Sequence, residues 1–272
     1  EYSIVQAALC GLVVGYLPFY FNKYEKRSGY MWPLFQRLPI WKLISYYHSS
    51  EVVAEAPLDE KQQYIFCMFP HGACSINHFL TMTDNCGMLS KIYTGERRDL
   101  VASVLFMIPG LREMLLFLGC VDAGSKTAKH NLSKGYSLFI YIGGEKEQLM
   151  TEVGEHHVYL KSRKGFVKLA LSSGSALVPM YAFGENDCYT ISHLWKGVRI
   201  WLQEKFQLGI PIFYGRWGTL LPYPVKIAVE IGKPIPVQKV EDKDITPKMI
   251  DDLHAKFEAE MIRLFDRTKG KY

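Results

Sequence analysis

The segment Phe69-Pro70-His71-Gly72 contains a histidine whose neighbours favour chemistry. Pro70 restricts the backbone before His71, and Gly72 leaves it open to close approach afterwards. The segment follows the apolar run YIFCM, so the histidine stands at the end of a predicted strand. An imidazole with an ordinary pKa of about 6.5 can act as a general base at neutral pH. A histidine in such a turn is more often structural, so both interpretations stay open on this segment alone.

A second polar segment, GGEKE at positions 143–147, follows the β-rich run YSLFIYI. Paired glycines let backbone N–H groups approach a ligand. Gly72, Gly143 and Gly144 are therefore candidates for positioning a ligand through the backbone. Either Glu145 or Glu147 could orient an imidazole. The alternative is an ordinary turn followed by solvated charges.

A third segment concentrates positive charge. Lys161, Arg163, Lys164 and Lys168 lie within eight positions with no acidic residue among them, beside a helix-like stretch that begins near Gly165. Basic side chains at a helix start can clamp a phosphate or a pyrophosphate. A solvated basic face and a patch that binds anionic lipid give the same pattern, and spacing alone favours them.

Other chemistries are unsupported. Six cysteines occur without a CxxC pair, and the pair His156-His157 has no accompanying HExxH, so no metal site is expected. The stretch 119–127 resembles a phosphate-binding loop, but Ser125 shifts Lys126 out of register. There is no GxSxG elbow. A net charge of +5 over 272 residues is too small to indicate nucleic acid, and 49% hydrophobic residues exclude a disordered chain.

The elements that must position these residues alternate between strand-like and helix-like patterns. This order predicts an α/β fold with a mostly parallel or mixed sheet flanked by helices. Open sheets of this kind present their sites at strand ends. The predicted strands are 64–69, 136–142, 176–183 and 225–231, and the predicted helices are 99–108, 165–173 and 244–268.

The N-terminal part is different in character. Residues 2–21 carry no charge, and as a helix they would reach about 30 Å, the thickness of a bilayer core. Basic and aromatic residues follow at once, as at a membrane interface. We expect a membrane-embedded helix or a hairpin kinked near Pro18; a buried core helix is the alternative. Residues 32–47 favour a surface-lying helix. The polar stretch 54–63 then divides the chain into an anchor with an interfacial helix (1–55) and a folded domain (56–272).

Together these segments resemble one family. PHG, GGxxE and the long block RxGFxxLAxxxGxxLVPxYxFGEN are similar to the diacylglycerol acyltransferase type 2 family, which includes monoacylglycerol acyltransferases and wax synthases. The similarity covers nearly the whole chain, including FYGRWG at 213–218 and IGKPIPV at 231–237. One position departs from the family: its members commonly read His-Pro-His-Gly, whereas this chain has Phe69. If that first histidine were required, the protein would be inactive; otherwise His71 alone must serve.

The resemblance implies a membrane-bound enzyme that transfers a fatty acyl group from acyl-CoA to diacylglycerol, without an acyl-enzyme. His71 would be the general base and Glu147 its carboxylate partner, while the basic cluster would bind the phosphates of acyl-CoA. Acyl-CoA is then a substrate, and neither a cofactor nor a metal is expected. The motif residues without an assigned role are Pro70, Glu145, Gly165, Phe166, Glu185 and Asn186.

Several alternatives stay open within this resemblance. The acceptor could be monoacylglycerol or a long-chain alcohol, or the chain could be a non-catalytic lipid-binding protein on the same scaffold. The expected location is the endoplasmic reticulum membrane, with the catalytic domain facing the cytosol, or the surface of a lipid droplet. The expected partners are acyl-CoA, a lipid alcohol and the bilayer, not nucleic acid. A homo-oligomer is left open.

Overall fold

The computed structural model describes residues 2–206 and 211–272. Helices and strands alternate through most of the chain, as the sequence predicts. The helices are α1 (Tyr2–Tyr20), α2 (Pro33–Gln36), α3 (Lys42–Tyr47), α4 (Ile76–Met82), α5 (Leu111–Phe117), α6 (Ser125–Ser133), α7 (Gly144–Met150), α8 (Gly165–Ser173), α9 (Lys196–Phe206) and α10 (Pro247–Thr268). The strands are β1 (Glu51–Ala54), β2 (Tyr64–Phe69), β3 (Arg97–Val101), β4 (Cys120–Asp122), β5 (Ser137–Tyr141), β6 (Ala176–Phe183), β7 (Thr190–Ile191), β8 (Phe213–Tyr214) and β9 (Ala228–Ile231).

Seven strands form one mixed sheet in the order β1-β9-β6-β2-β5-β3-β4, which confirms the predicted fold class. Strands β2 to β6 run parallel to one another, whereas β9 is antiparallel to β6. The carboxyl ends of β2, β5 and β6 therefore lie side by side. We call this side of the sheet the carboxyl edge; the chain leaves it after Phe69, Tyr141 and Phe183.

The sheet is covered on both faces, which explains why β2 is a continuous apolar run. Ile65, Cys67 and Phe69 pack into a core with helices α6, α8 and α10. The intervening residues Tyr64, Phe66 and Met68 pack into a second core on the other face, with Leu80 of α4. Burial of β2 on both faces fixes the point at which the chain emerges at His71.

Two local predictions differ from the structure. The predicted helix 99–108 is wrong: strand β3 (Arg97–Val101) and a 3₁₀ turn (Ser103–Met107) occupy this region. The strand was hidden because its residues Arg97 and Asp99 are charged, although they are buried as an ion pair. The predicted helix 32–47 is broken by prolines into α2, a 3₁₀ turn (Pro39–Trp41) and α3. Strand β1 lies within the predicted anchor range 1–55, yet it pairs with β9; the two-domain division itself stays a prediction.

Helix α1 stands away from the sheet as a continuous helix through Pro18. Within the described residues, the segment Ser3–Lys26 is long and apolar enough to cross a membrane, and none of its apolar window is buried in the protein. Two contacts tie its end to the domain. Tyr20 Oη donates to the carbonyl oxygen of Met107 at 2.8 Å, and Arg112 Nη2 donates to Asn22 Oδ1 at 2.8 Å.

Candidate functional site

The His71 ring lies at the carboxyl edge, two residues after β2, and is partly exposed. Its Nδ1 is 3.1 Å from the carbonyl oxygen of Gly72 and 3.1 Å from Oγ of Ser75. A carbonyl oxygen can only accept, so the contact assigns the proton to Nδ1 and the lone pair to Nε2. Burial lowers the pKa of His71 to about 4, although the contact with Gly72 acts in the opposite direction. The imidazole is therefore neutral at neutral pH and has the lone pair that a general base needs.

Glu147 contacts the main chain of His71 and not its ring. Oε1 accepts from the backbone N–H of His71 at 2.6 Å, and Oε2 accepts from the N–H of Tyr159 at 2.8 Å. Burial raises the pKa of Glu147 to about 7, while these two hydrogen bonds and Arg163 lower it. A Cβ at Gly143 would collide with this carboxylate, which explains the glycine there. The carboxylate that the sequence predicted as a partner of the imidazole instead fixes the backbone that carries it.

Glu185 holds the chain on the other side of His71. Its Oε1 accepts from the N–H of Ile76 at 2.8 Å and its Oε2 from the N–H of Asn77 at 2.7 Å, at the start of α4. Gly72 has a φ of +64°, and a Cβ there would lie 2.5 Å from Oε1 of Glu185. Burial raises the pKa of Glu185 to about 8, against the two backbone hydrogen bonds. Two buried carboxylates thus fix the main chain before and after the histidine turn.

Tyr141, the last residue of β5, forms a wall of the same site. Its ring centroid is 4.8 Å from that of His71, and its hydroxyl donates to Asn77 Oδ1 at 2.5 Å. Sequence reasoning did not single out Tyr141, because nothing in the run YSLFIYI distinguishes this tyrosine from a core residue. The tyrosine links the histidine turn to the first turn of α4.

A buried ion-pair group lies behind this wall and was also missed. His78 Nε2 donates to Asp99 Oδ2 at 2.9 Å, and Arg97 Nε donates to Oδ1 at 2.7 Å. Burial acts to raise the pKa of Asp99, but Arg97 and His78 hold it below its usual value. The His78 ring stacks on Phe139 with centroids 4.9 Å apart. The sequence signal for this group is the charged run ERRD at 96–99. It indicates a buried ion pair only if the run is assigned to a strand.

The structure divides the predicted basic cluster. Arg163 turns toward the GG turn: Nη2 donates to the carbonyl oxygen of Gly143 at 3.0 Å, and its guanidinium lies 5.2 Å from the centre of the Tyr159 ring. The ammonium of Lys146 lies 4.8 Å from the centre of the same ring. Two cations therefore flank Tyr159 near Glu147, and one of them, Lys146, was not in the predicted cluster.

The other predicted cations point elsewhere. Lys164 pairs with Asp251 of α10 at 2.5 Å, and the side chains of Lys161 and Lys168 are exposed. Arg163 is therefore the predicted cation that contacts the turn at Gly143.

The remaining motif residues have structural surroundings. Phe69 is fully buried in the core, in register with Tyr181. Asn186 Nδ2 donates to the carbonyl oxygen of Glu155 at 2.6 Å. Other motif residues lie in or beside the helices: Pro70 is buried just after β2, Glu145 lies in the first turn of α7, Gly165 begins α8, and Phe166 packs on Phe257 of α10. In the two described ranges, no three His, Cys, Asp or Glu side chains converge as a metal site.

Comparisons with known proteins find similarity along the whole chain. A family model described as Diacylglycerol acyltransferase matches residues 2–272. Mouse 2-acylglycerol O-acyltransferase 1 is 32% identical, with 96% of this chain and 82% of that protein aligned. Diacylglycerol O-acyltransferase 2 of Dictyostelium discoideum is 30% identical over 98% of this chain and 85% of that protein. The mouse Diacylglycerol O-acyltransferase 2 is 36% identical, with 86% of this chain and 63% of that protein aligned. Among solved structures, the 1-acyl-sn-glycerophosphate (LPA) acyltransferase PlsC from Thermotoga maritima superposes with a TM-score of 0.48 at 16% identity, covering 82% of this chain and 78% of PlsC.

Proposed function

The chain belongs to the diacylglycerol acyltransferase family and is an O-acyltransferase, and we propose that it transfers a fatty acyl group from acyl-CoA to the free hydroxyl of diacylglycerol. The observation that carries this proposal is the neutral His71 ring, with its proton on Nδ1 toward Gly72. Glu147 and Glu185 hold the backbone on either side of it. Such a ring is ready to accept a proton without first losing one.

The proposed reaction moves one proton from the acceptor hydroxyl to the leaving thiolate, by way of the imidazole. Nε2 of His71 takes the hydroxyl proton as the acceptor oxygen attacks the thioester carbonyl, which forms a tetrahedral intermediate. The intermediate collapses with cleavage of the C–S bond, the CoA thiolate leaves, and the proton on the imidazolium passes to it. The products are triacylglycerol and CoA. General-base assistance of this kind is worth roughly 10²–10⁴-fold in rate.

The oxyanion of the intermediate needs hydrogen-bond donors. Backbone N–H groups at Gly72, Gly143 and Gly144 are our candidates, because both glycine turns lie at the carboxyl edge beside His71. For the donor, Arg163 and Lys146 are the cations that we assign to the phosphates of CoA, since both flank Tyr159 and Arg163 is tied to Gly143. Lys161, Lys164 and Lys168 would act at longer range.

Membrane attachment through α1 is part of the proposal. Its apolar window is unburied by the rest of the protein, and a diacylglycerol acceptor is insoluble in water. We place the enzyme in the endoplasmic reticulum membrane or at a lipid droplet, with the catalytic domain facing the cytosol. The six cysteines, all unpaired, agree with a reducing compartment.

Monoacylglycerol is the second candidate acceptor, because the relative named 2-acylglycerol O-acyltransferase 1 aligns over 96% of the chain. The full chain in lipid nanodiscs should be incubated with radiolabelled acyl-CoA and, separately, diacylglycerol, monoacylglycerol or a long-chain alcohol. We expect labelled triacylglycerol as the main product, formed roughly 10²–10⁴-fold more slowly by a His71→Ala variant. If another acceptor is converted faster, that acceptor would replace diacylglycerol as the proposed substrate. Bound lipid without transfer to any acceptor would identify a non-catalytic lipid-binding protein.

A further inference from the structure

Two exposed apolar segments, separate from α1, lie at the carboxyl edge of the sheet. One is α9 with the two residues before it, and the other is the turn 213–221. Both belong to the part of the chain that leaves β6 at Phe183 and returns to β9 at Ala228. Because β9 runs antiparallel to β6, this part of the chain starts and ends at the same edge as His71.

Helix α9 exposes its apolar side. Leu194, Val198 and Trp201 recur at spacings of four and three residues, and they are 56%, 55% and 51% exposed. In a globular protein such a stripe normally packs against the core. Among the residues of the helix whose burial is described, Arg199 is buried, and its guanidinium donates to the carbonyl oxygen of Ser192. Ile200 and Leu202 are half-buried, so the helix has apolar residues on its outer side as well as on its inner side.

The turn 213–221 displays a tryptophan at its tip. The N–H of Gly215 donates to the carbonyl oxygen of Thr219, and that of Arg216 to Leu221, both at 2.7 Å. These bonds close the turn, so that Trp217 is 76% exposed and Leu220 is 72% exposed. Trp217 has a φ of +57°, and the exposed Trp195 before α9 has a φ of +53°. Bulky residues rarely adopt this left-handed conformation, and where it persists it is typical of functional segments.

We propose that Leu194, Trp195, Val198, Trp201, Trp217 and Leu220, here called the tryptophan surface, insert into the interfacial region of the bilayer that α1 enters. Tryptophan is enriched at membrane–water interfaces. Apart from the buried Arg199, residues 194–221 carry three basic side chains and one acidic side chain, a balance that favours anionic headgroups. The inference rests on the membrane attachment proposed above.

The position of the tryptophan surface supports a shared membrane. Strand order places β6 on one side of β2 and β3 on the other side, beyond β5. The turn after β3 exposes Met107 (68%) and Ile108 (48%), and Met107 accepts the hydrogen bond from Tyr20 at the end of α1. Exposed apolar groups thus lie on both sides of His71 along one edge. With both sides in contact with lipid, the histidine would face the bilayer, from which a lipid alcohol can reach it.

The test uses tryptophan fluorescence of the full chain reconstituted in vesicles of phosphatidylcholine and anionic phosphatidylserine. The emission of the wild type is compared with that of Trp195→Phe, Trp217→Phe and the double variant, in plain and in brominated phosphatidylcholine. We expect the emission lost on substitution to be blue-shifted, with more than half of it quenched by the brominated lipid. A Lys134→Trp variant, at an exposed position before β5 and so at the opposite edge, supplies the matched control. Its added emission should be red-shifted and unquenched.

Flotation of the same vesicles distinguishes failure of the tryptophan surface from failure of membrane attachment through α1. If the protein floats with the vesicles and the emission lost in both single variants is red-shifted and unquenched, the tryptophan surface is not in the membrane, although α1 is attached. If the protein does not float, membrane attachment itself fails, and this surface fails with it. Quenching of the Trp195 and Trp217 emission, but not of the emission added by Lys134→Trp, would support the proposed orientation.

Discussion

Replacement of Glu147 by glutamine tests the main structural claim about the site. The substitution keeps the size of the side chain but turns one acceptor oxygen into an NH₂ donor. In the structure, Oε1 accepts from the N–H of His71 at 2.6 Å and Oε2 from the N–H of Tyr159 at 2.8 Å. An amide can accept only one of these bonds, so one main-chain N–H would lose its acceptor and face another donor.

The expected loss of stability follows from the burial of the Glu147 side chain. Glu147 is 3% exposed, and a buried polar group left without its partner costs about 1–3 kcal/mol. We expect the free energy of unfolding to fall by that amount. Because a displacement of about 1 Å near the reacting atoms can cost about 10²-fold in rate, kcat should fall by roughly 10–100-fold. The KM for diacylglycerol should change less, since Glu147 contacts the backbone of the base and not the acceptor.

The assay measures kcat and KM for both substrates in nanodiscs, together with urea unfolding of the same preparations. Glu145→Gln is the matched control, because it removes the same charge from the first turn of α7 without touching the Glu147 contacts. A Glu147→Gln enzyme with wild-type kcat and wild-type stability would refute the role of Glu147 in fixing the backbone of His71. Loss of activity in Glu145→Gln alone would refute it as well.

Four further predictions concern the same site. His71→Ala should lower kcat by roughly 10²–10⁴-fold while the fold is kept; a near-normal rate in purified enzyme, with circular dichroism unchanged, would exclude His71 as the base. Charge reversal at Arg163 should raise the KM for acyl-CoA more than that for diacylglycerol, whereas reversal at Lys164, which pairs with Asp251, should have a smaller effect; equal effects on both substrates would argue against a donor site. Since burial lowers the pKa of His71 from 6.5 to about 4, the ring should stay neutral until the pH approaches the lower value; an NMR titration of the histidine signal that is missing from His71→Gln should show this, and a midpoint at or above 6.5 would contradict the assigned environment. By linkage, the unfolded chain binds the proton first, so the histidine's contribution to stability is lost as the pH falls from 6.5 through about 4; His71→Gln should flatten that loss in unfolding measurements.

The sequence alone predicted the elements whose pattern is local. Strands β2 and β6 and helices α8 and α10 follow from apolar runs, from spacings of three and four residues, and from the glycines and prolines that end them. Two of the three polar segments were recognised as candidate sites because each follows such a run, and the third because its positive charges lie beside a predicted helix start. The family also followed from the sequence, since motif residues keep their spacing whatever the packing.

The tertiary structure decided which atoms meet. Glu147 and His71 are 76 positions apart, and only the adjacency of β2 and β5 brings the carboxylate to the backbone N–H. In the same way, the charged residues Arg97 and Asp99 belong to the buried strand β3 because the strand pairs with β5 and the two side chains form an ion pair. The outward side of α9 could not be read from its spacing either, because a helical stripe looks the same whether it faces a core or a membrane. Periodicity determines which residues share a face, and packing over long sequence separations determines what that face contacts.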